Sequence, residues 1–299
     1  MEPYAPNQGS LRSGAMSRIW GGTTDPDFRR AVEVLRVPQM GTEAVAPLLA
    51  QLIQFLRPQR VLEIGMGYTT PFLAAALAQV RLQVSQESRD LAEKTRPYLA
   101  DGNALDETWL HADPPLLTPE FYLEPYEPRL VALDNLSIAS SSAARVREVL
   151  SQLELTDLVT VVNADLRNAV ELLPDGFTPI DLAWVDAWEC LYFFDQFWDL
   201  IEPDGGVVIM HYLMTYPEGE AILEYFRQFE RANPGELEIV SLLEPHKMVQ
   251  NSLTMLRRTA GARRLGYARP GGHLIYDDPL RAHAWTHADL VVERSQSRG

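Results

Sequence analysis

Four carboxylates, Glu63, Asp134, Asp165 and Asp186, each stand at the end of a short apolar run, and Gly65 and Gly67 follow the first of them at once. An ionised carboxylate accepts hydrogen bonds and donates none, so a pair of hydroxyls or an amine is its natural partner. Glycines let backbone amides come close to a ligand where a Cβ would intrude. The run VLEIGMGYTT at 61–70 therefore marks the place for a nucleoside-type molecule. Two common phosphate loops do not match it. No Gly-Lys-Ser/Thr ending follows Gly67, Thr70 stands where a dinucleotide fingerprint has its third glycine, and Tyr68 would crowd a pyrophosphate. His211, closing a further apolar run, is the best general base or acid, since imidazole is the side chain that titrates nearest neutral pH. The competing reading is a histidine hydrogen-bonded within the core. His111, His246 and His273 have weaker positional claims.

A parallel sheet would bring these residues together. The runs at 129–137, 158–166, 180–188 and 207–213, with the strand at 61–64, are continuously apolar rather than alternating, as strands buried on both faces should be. Helical patterns alternate with them at 72–79, 140–153, 193–200 and 218–232. Thr70 is expected to cap the first of these, with Pro71 opening it. LEIVSLLEP and NSLTMLRR close the series as an antiparallel pair. The expected fold is α/β: a doubly wound, Rossmann-like, mostly parallel seven-stranded sheet with an antiparallel last strand. In such sheets ligands bind beyond the carboxyl ends of the strands, where the strand order reverses. Ahead of the sheet lie a polar arm (residues 1–20) and two amphipathic helices opened by Asp25-Pro26 and Thr42, together a cap over residues 1–57. The sheet domain spans 58–258, and 259–299 reads as a surface tail. Residues 81–129 are polar and proline-bearing, with a helical pattern at 89–99 and the aromatics Trp109, Phe121, Tyr122 and Tyr126. A structureless loop of that length is uncommon, so a helical insert is expected, either a surface decoration or a lid over the site.

The gross composition bounds the function. The chain of 299 residues is 46 % hydrophobic and 22 % charged, as in an ordinary globular protein. Its formal charge of −15 argues against nucleic acid, whose phosphates such a field repels. The arginines at 257, 258, 263 and 264 read as a solvated stretch. No apolar run reaches membrane-spanning length, and the N-terminus lacks a leader pattern, so the expected location is cytoplasmic and the expected partner a small molecule. Cys190 is the sole cysteine, which excludes an internal disulfide and a cysteine metal cage. Oligomeric state is not legible.

The E-x-G-x-G pattern of Glu63, Gly65 and Gly67, with the later strand-end acids, resembles the class I S-adenosylmethionine (SAM)-dependent methyltransferases over about residues 58–258. The resemblance implies SAM as cosubstrate. It implies that Glu63, Gly65, Met66, Gly67, Tyr68 and Thr69 hold the methionine part, with Glu63 orienting its amino group. Asp134 would accept from both ribose hydroxyls, Asn135 and Leu136 would flank the adenine, Asp165 would accept from the adenine amino group, and Leu166 would pack on the ring. Asp186 would lie near the transferable group. The spacing departs from the pattern: Asp134 lies 67 positions after Gly67, against the roughly 20 usual for a ribose carboxylate. Glu87 has the usual distance in a poor strand context, so Asp134 is preferred. The Asp186-Ala187-Trp188 triplet resembles the D-x-W of catechol-type O-methyltransferases. The position of their further oxygen ligands here holds Met210-His211-Tyr212, so no metal is expected. Most of the aromatic run at 184–198 reads as helix core, but Trp188, Tyr192, Tyr4 and Trp20 could wall a cationic sulfonium.

Three functions fit. Methyl transfer to a small molecule leads, with His211, Asp186 and Tyr68 as catalytic candidates. The IWGGTTDP arm, the EIGMGYTT loop and the long insert also resemble a bacterial secondary-metabolism subset that includes enzymes closing SAM to azetidine-2-carboxylate with release of methylthioadenosine. In that case Tyr68, the arm's aromatics and Asn135 would hold the folded-back conformer. The third is a SAM-binding scaffold without chemistry.

Overall fold

Five apolar runs form the parallel part of the sheet in the computed structural model, which describes residues 22–102, 105–138, 141–259 and 278–297. They are β1 (Arg60–Ile64), β2 (Arg129–Asp134), β3 (Val159–Asn163), β4 (Leu182–Val185) and β5 (Val207–His211). The hairpin of β6 (Leu237–Leu243) and β7 (Ser252–Arg258) completes a seven-stranded sheet of order β3-β2-β1-β4-β5-β7-β6. β7 runs antiparallel to both its neighbours. The chain leaves β1 toward β2 and β3 on one side, then returns to β4 and β5 on the other, so the switch point lies between β1 and β4. The expected fold class is therefore what forms.

The described helices are α1 (Pro26–Val32), α2 (Thr42–Leu56), α3 (Thr69–Ala100), α4 (Glu107–His111), α5 (Ala143–Gln152), α6 (Cys190–Phe197), α7 (Pro217–Ala232) and α8 (Asp278–Gln296). Strand alternation divides the core in two. Val61, Trp184 and Ile209 pack with residues of α1, α2, α3 and α5, whereas Leu62, Ala183 and Val208 pack with Phe193 and Phe197 of α6 and Phe226 of α7. Each of those fully buried phenylalanines contributes roughly 1.5–3 kcal/mol. Asp25 caps α1 as its sequence suggests, its Oδ1 accepting from the Asp27 N–H at 2.7 Å ahead of the opening Pro26.

Three expectations are corrected. The helix expected at 72–79 is one helix of 32 residues, and it absorbs the first part of the 81–129 stretch. Its N-terminus is also different: Thr70 does not cap it, since the helix already begins at Thr69, and the Thr70 hydroxyl instead accepts the Gly67 N–H at 3.0 Å. The lid fails on position. Tyr126 donates its hydroxyl to the Pro58 carbonyl (2.8 Å), Tyr122 joins the Arg57–Glu87 ion pair, and Trp109 donates to Thr95 (3.1 Å). Pro58 and Arg57 precede β1, so these aromatics brace the edge of the sheet opposite to the strand ends that carry the acids. Third, the expected surface tail contains α8, which lies along α3 with Ala284 and Ala288 buried. His287 of α8 meets Ser88 of α3 at 3.0 Å, and burial lowers the His287 imidazole to about 4.

One tight contact locks the loop after β5. A Cβ on Gly219, in the first turn of α7, would lie 1.8 Å from the Leu213 carbonyl oxygen. Backbone cannot yield as a side-chain tip would. Gly219→Ala is expected to cost about 1–3 kcal/mol or more, read as a fall in Tm with the two-state transition retained.

Candidate active site

The glycine turn is held by the acids themselves. Gly65 adopts φ +92°, and a Cβ there would sit 2.9 Å from the Asp186 carbonyl oxygen, so the turn passes directly over the end of β4. Asp134 accepts the Met66 N–H through Oδ2 (2.9 Å) and the Ser141 hydroxyl through Oδ1 (3.0 Å). The Ser142 hydroxyl donates to the Met66 carbonyl at 2.8 Å. Ends of β1, β2 and β4 and the start of α5 thus converge on one loop. Gly67 is unlike Gly65: a Cβ on it would meet only Ser142 Oγ, at 3.9 Å. No described residue stands close enough to require glycine there.

Glu63 lies at the bottom of this site. It is fully buried, Oε1 accepts the Thr69 hydroxyl at 2.6 Å, and Oε2 is buried without a partner among the described residues. Burial pushes its carboxyl up to about 8; the hydroxyls of Thr69 and Thr70 pull against this, and the neighbouring Asp186 and Asp134 add to it. A carboxylate so placed is short of one cationic or hydrogen-bonding partner.

Glu63 stands opposite Trp184 in the sheet register, and by alternation His211 of β5 falls on that same face. His211 is 1 % exposed; its Nδ1 lies 3.0 Å from Asp186 Oδ1, and its Nε2 is buried without a partner. The Trp184 indole N–H is also buried and unpartnered, with its ring 5.6 Å from the His211 ring. One face of three strands therefore presents an acid, an indole donor and an imidazole, each with a polar atom that none of the described residues satisfies. Buried polar groups normally find partners, and leaving one unpaired costs about 1–3 kcal/mol.

The loops after β2 and β3 lie side by side: the Ala164 N–H donates to the Asp134 carbonyl at 3.2 Å and the Leu136 N–H to Asn163 Oδ1 at 3.0 Å. Asn135 is turned onto its own loop, accepting from the Ser137 N–H and hydroxyl. Asp165 stands two residues beyond β3 rather than within the strand, exposed, and caps a 3-10 turn by accepting the Arg167 N–H at 3.0 Å, while Leu166 beside it is buried. Tyr68 is half-buried against Phe72 (ring centroids 5.2 Å), and burial raises its hydroxyl above the usual range, as do Glu33 and Glu43.

Some candidates fall elsewhere. Glu87 is no ribose acid: it lies mid-helix in α3, where burial would raise its carboxyl but hydrogen bonds from Arg57 and Tyr122 bring it below the usual range. His111 ends α4 within the insert, and His246 is exposed near Glu244 (3.7 Å). Tyr192 donates to the Arg167 carbonyl (3.3 Å) on the side of β3, whereas Trp188 packs on Tyr212 and Tyr216 on the side of β5, so the two do not form one wall. Tyr4, Trp20, His273, Arg263 and Arg264 lie outside the described residues. Among the described residues no three His, Cys, Asp or Glu side chains gather as a metal cluster, and no helix is long and apolar enough to cross a membrane. Sequence reasoning passed over Trp184, which reads as core, and Tyr216, whose only signal is its spacing of four from Tyr212.

No family model and no curated protein matches the sequence. Solved structures do match the fold. A protein from Klebsiella pneumoniae assigned as an O-methyltransferase superposes with TM-score 0.51 at 18 % identity, covering 79 % of this chain and 91 % of its own. The O-methyltransferase from Bacillus cereus in complex with SAH gives 0.50 at 17 %, covering 78 % and 90 %. The cofactor-bound Rv0187 from MTB gives 0.50 at 15 %, covering 87 % and 99 %. At such identities the likeness is one of architecture: the chain has the fold of the class I SAM-dependent methyltransferases.

Proposed function

We propose that this chain is a cytoplasmic SAM-dependent methyltransferase acting on a small molecule, as in the bacterial secondary-metabolism subset that its loop resembles. The observation that carries the reading is the pairing of Glu63, buried with Oε2 unpartnered among the described residues, with Gly67, where a Cβ would meet only Ser142 Oγ at 3.9 Å. Those are the two features a bound methionine moiety needs, an acid for its amine and room for its backbone. When bound, SAM supplies an electrophilic methyl group on a sulfonium. The chain's residues do the rest. Met66, Gly67, Tyr68 and Thr69 shape the turn; Asp134, already fixing Met66, offers its remaining lone pairs to the ribose; Asn135, Leu136, Asp165 and Leu166 border the adenine. Asp186 holds the His211 ring so that Nε2 can take a proton from the acceptor, and Tyr68 closes the site toward α1 and α2. The reading is metal-free, since Met210, His211 and Tyr212 offer no oxygen set of the kind magnesium prefers.

Incubation with SAM tests it. A methyltransferase forms S-adenosylhomocysteine only when an acceptor is supplied; a SAM cyclase releases methylthioadenosine from SAM alone; a scaffold releases neither. Methylthioadenosine in the acceptor-free reaction would overturn methyl transfer.

The two glycines should separate architecture from binding. Gly65→Ala is expected to lower stability by about 1–3 kcal/mol, because its φ and its carbonyl contact both oppose a Cβ. Gly67→Ala is expected to leave Tm unchanged while weakening SAM binding by about 1–3 kcal/mol. Thermal melts and calorimetry on the two variants check this.

A further inference from the structure

The acceptor side of the site has a character of its own. Trp188 is 63 % exposed, yet it is not loose: its ring lies 5.1 Å from that of Tyr212 and 5.0 Å from that of Tyr216, and the two tyrosines meet edge to face at 5.9 Å. Tyr212 is held at φ +51°, a left-handed backbone that a bulky aromatic rarely adopts, and its N–H is fixed to the Ser252 carbonyl at 2.8 Å. Gln250 Nε2 donates to the Tyr216 hydroxyl at 3.4 Å. Strain is therefore accepted to build a backing for one tryptophan. The three rings are too close together to admit an ion between them, so the usable surface is the outer face of Trp188.

The acids nearest Trp188 in the chain are the ones that act on its neighbour Tyr212. Asp186 and Glu189 flank Trp188 in the chain, and the groups acting on the buried Tyr212 hydroxyl, after burial itself, are Asp186, Cys190, Glu189 and Tyr216, all pushing it up. None of those groups is a cation, and among the described residues Lys247 of the neighbouring turn is taken by Glu244 at 2.9 Å. The buried His211, its Nε2 unpartnered, has its ring 5.0 Å from that of Tyr212 and so connects the cluster to the chemistry. Trp188 packs on the β5 side of β4, two residues beyond Asp186, over whose carbonyl the glycine turn passes.

We propose that the methyl acceptor carries an ammonium group and that the outer face of Trp188, backed by Tyr212 and Tyr216, is its seat. Tryptophan offers a cation the strongest aromatic quadrupole, and nearby carboxylates reinforce it. This rests on the methyl-transfer reading above, and it names the class of acceptor.

Calorimetry on the full chain saturated with S-adenosylhomocysteine tests it without turnover. The probes are 2-phenylethylamine, 2-phenylethanol and 3-phenylpropionate, which share a ring and differ in charge. The amine is expected to bind about 5–30-fold more tightly than the alcohol, and the carboxylate most weakly. Trp188→Leu should reduce the amine to the level of the alcohol, and Trp188→Phe should keep part of the preference; at an exposed position neither threatens the fold. Equal affinity for amine and alcohol, or an unchanged amine affinity in Trp188→Leu, would overturn the proposal. So would a Trp188→Leu variant that loses affinity for SAM but not for S-adenosylhomocysteine, which would assign the ring to the sulfonium instead. Absence of heat with S-adenosylhomocysteine itself removes the methyl-transfer reading, and this proposal with it.

Discussion

His211→Ala is expected to lower kcat by about 10²–10⁴-fold while leaving S-adenosylhomocysteine affinity within a few-fold. The geometry sets this. In the tautomer that donates Nδ1–H to Asp186 Oδ1 across 3.0 Å, the lone pair of the unprotonated ring is on Nε2, which no described residue uses. Under the proposed methyl transfer, that nitrogen is the group on the Glu63–Trp184–His211 face that would take the acceptor's proton. Asp186→Asn provides the complementary result. An asparagine of the same shape can offer its amide N–H where a carboxylate accepted, which favours the opposite tautomer and blocks Nε2. A smaller fall in kcat with unchanged binding is the expected outcome. Because His211 is packed between Trp184 and Tyr212, His211→Phe serves as a volume-filling control. A variant of His211 that folds and keeps its rate within threefold would return the residue to the role of a core hydrogen-bonder.

Glu63→Gln is expected to remove a pH dependence that the native chain shows in both binding and stability. The Glu63 carboxyl, raised to about 8 by burial, is largely protonated at neutral pH in the free protein. An amine arriving beside Oε2 favours the carboxylate, so binding releases a proton and affinity should rise by up to about tenfold per pH unit below pH 8. Calorimetry in two buffers of different ionisation enthalpy reads that proton directly. For folding the sign is opposite. A raised carboxyl binds more protons folded than unfolded, so its stabilising contribution is complete below the ordinary carboxylate range and is lost as pH rises through about 8. The native chain should therefore lose on the order of a few kcal/mol relative to Glu63→Gln between mildly acidic and alkaline pH. Parallel Tm–pH curves for the two proteins would contradict the buried, unpaired state of Glu63.

Much of this was legible from residue types. Continuous apolar runs ending in acids gave the parallel strands and their polarity, and Gly65 with Glu63 placed the turn. The length of α3 was hidden for a physical reason. Its inward stripe runs Val80, Val84, Leu91, Thr95, Leu99, but Glu87 and Ser88 interrupt it. Their polar groups are satisfied by Arg57, Tyr122 and His287, partners remote in sequence that no local pattern discloses. α8 escaped because its buried residues are the small Ala284 and Ala288 and a histidine, not the large aliphatics that mark a helix. The role of Trp184 escaped because an indole N–H without a partner is a property of three dimensions. The long gap between Gly67 and Asp134, which spoiled the usual ribose spacing, is the same α3 with its return path.

A helix of 32 residues extends about 48 Å, nearly three times the length of the five-residue β1 beside which it starts. Its distal half packs with α8 and the 105–126 return, and the Arg57–Glu87 ion pair ties it back to the residues that open β1. The molecule is thus bipolar. A change of bulk at the far pole would therefore fall well away from the strand ends that carry the acids.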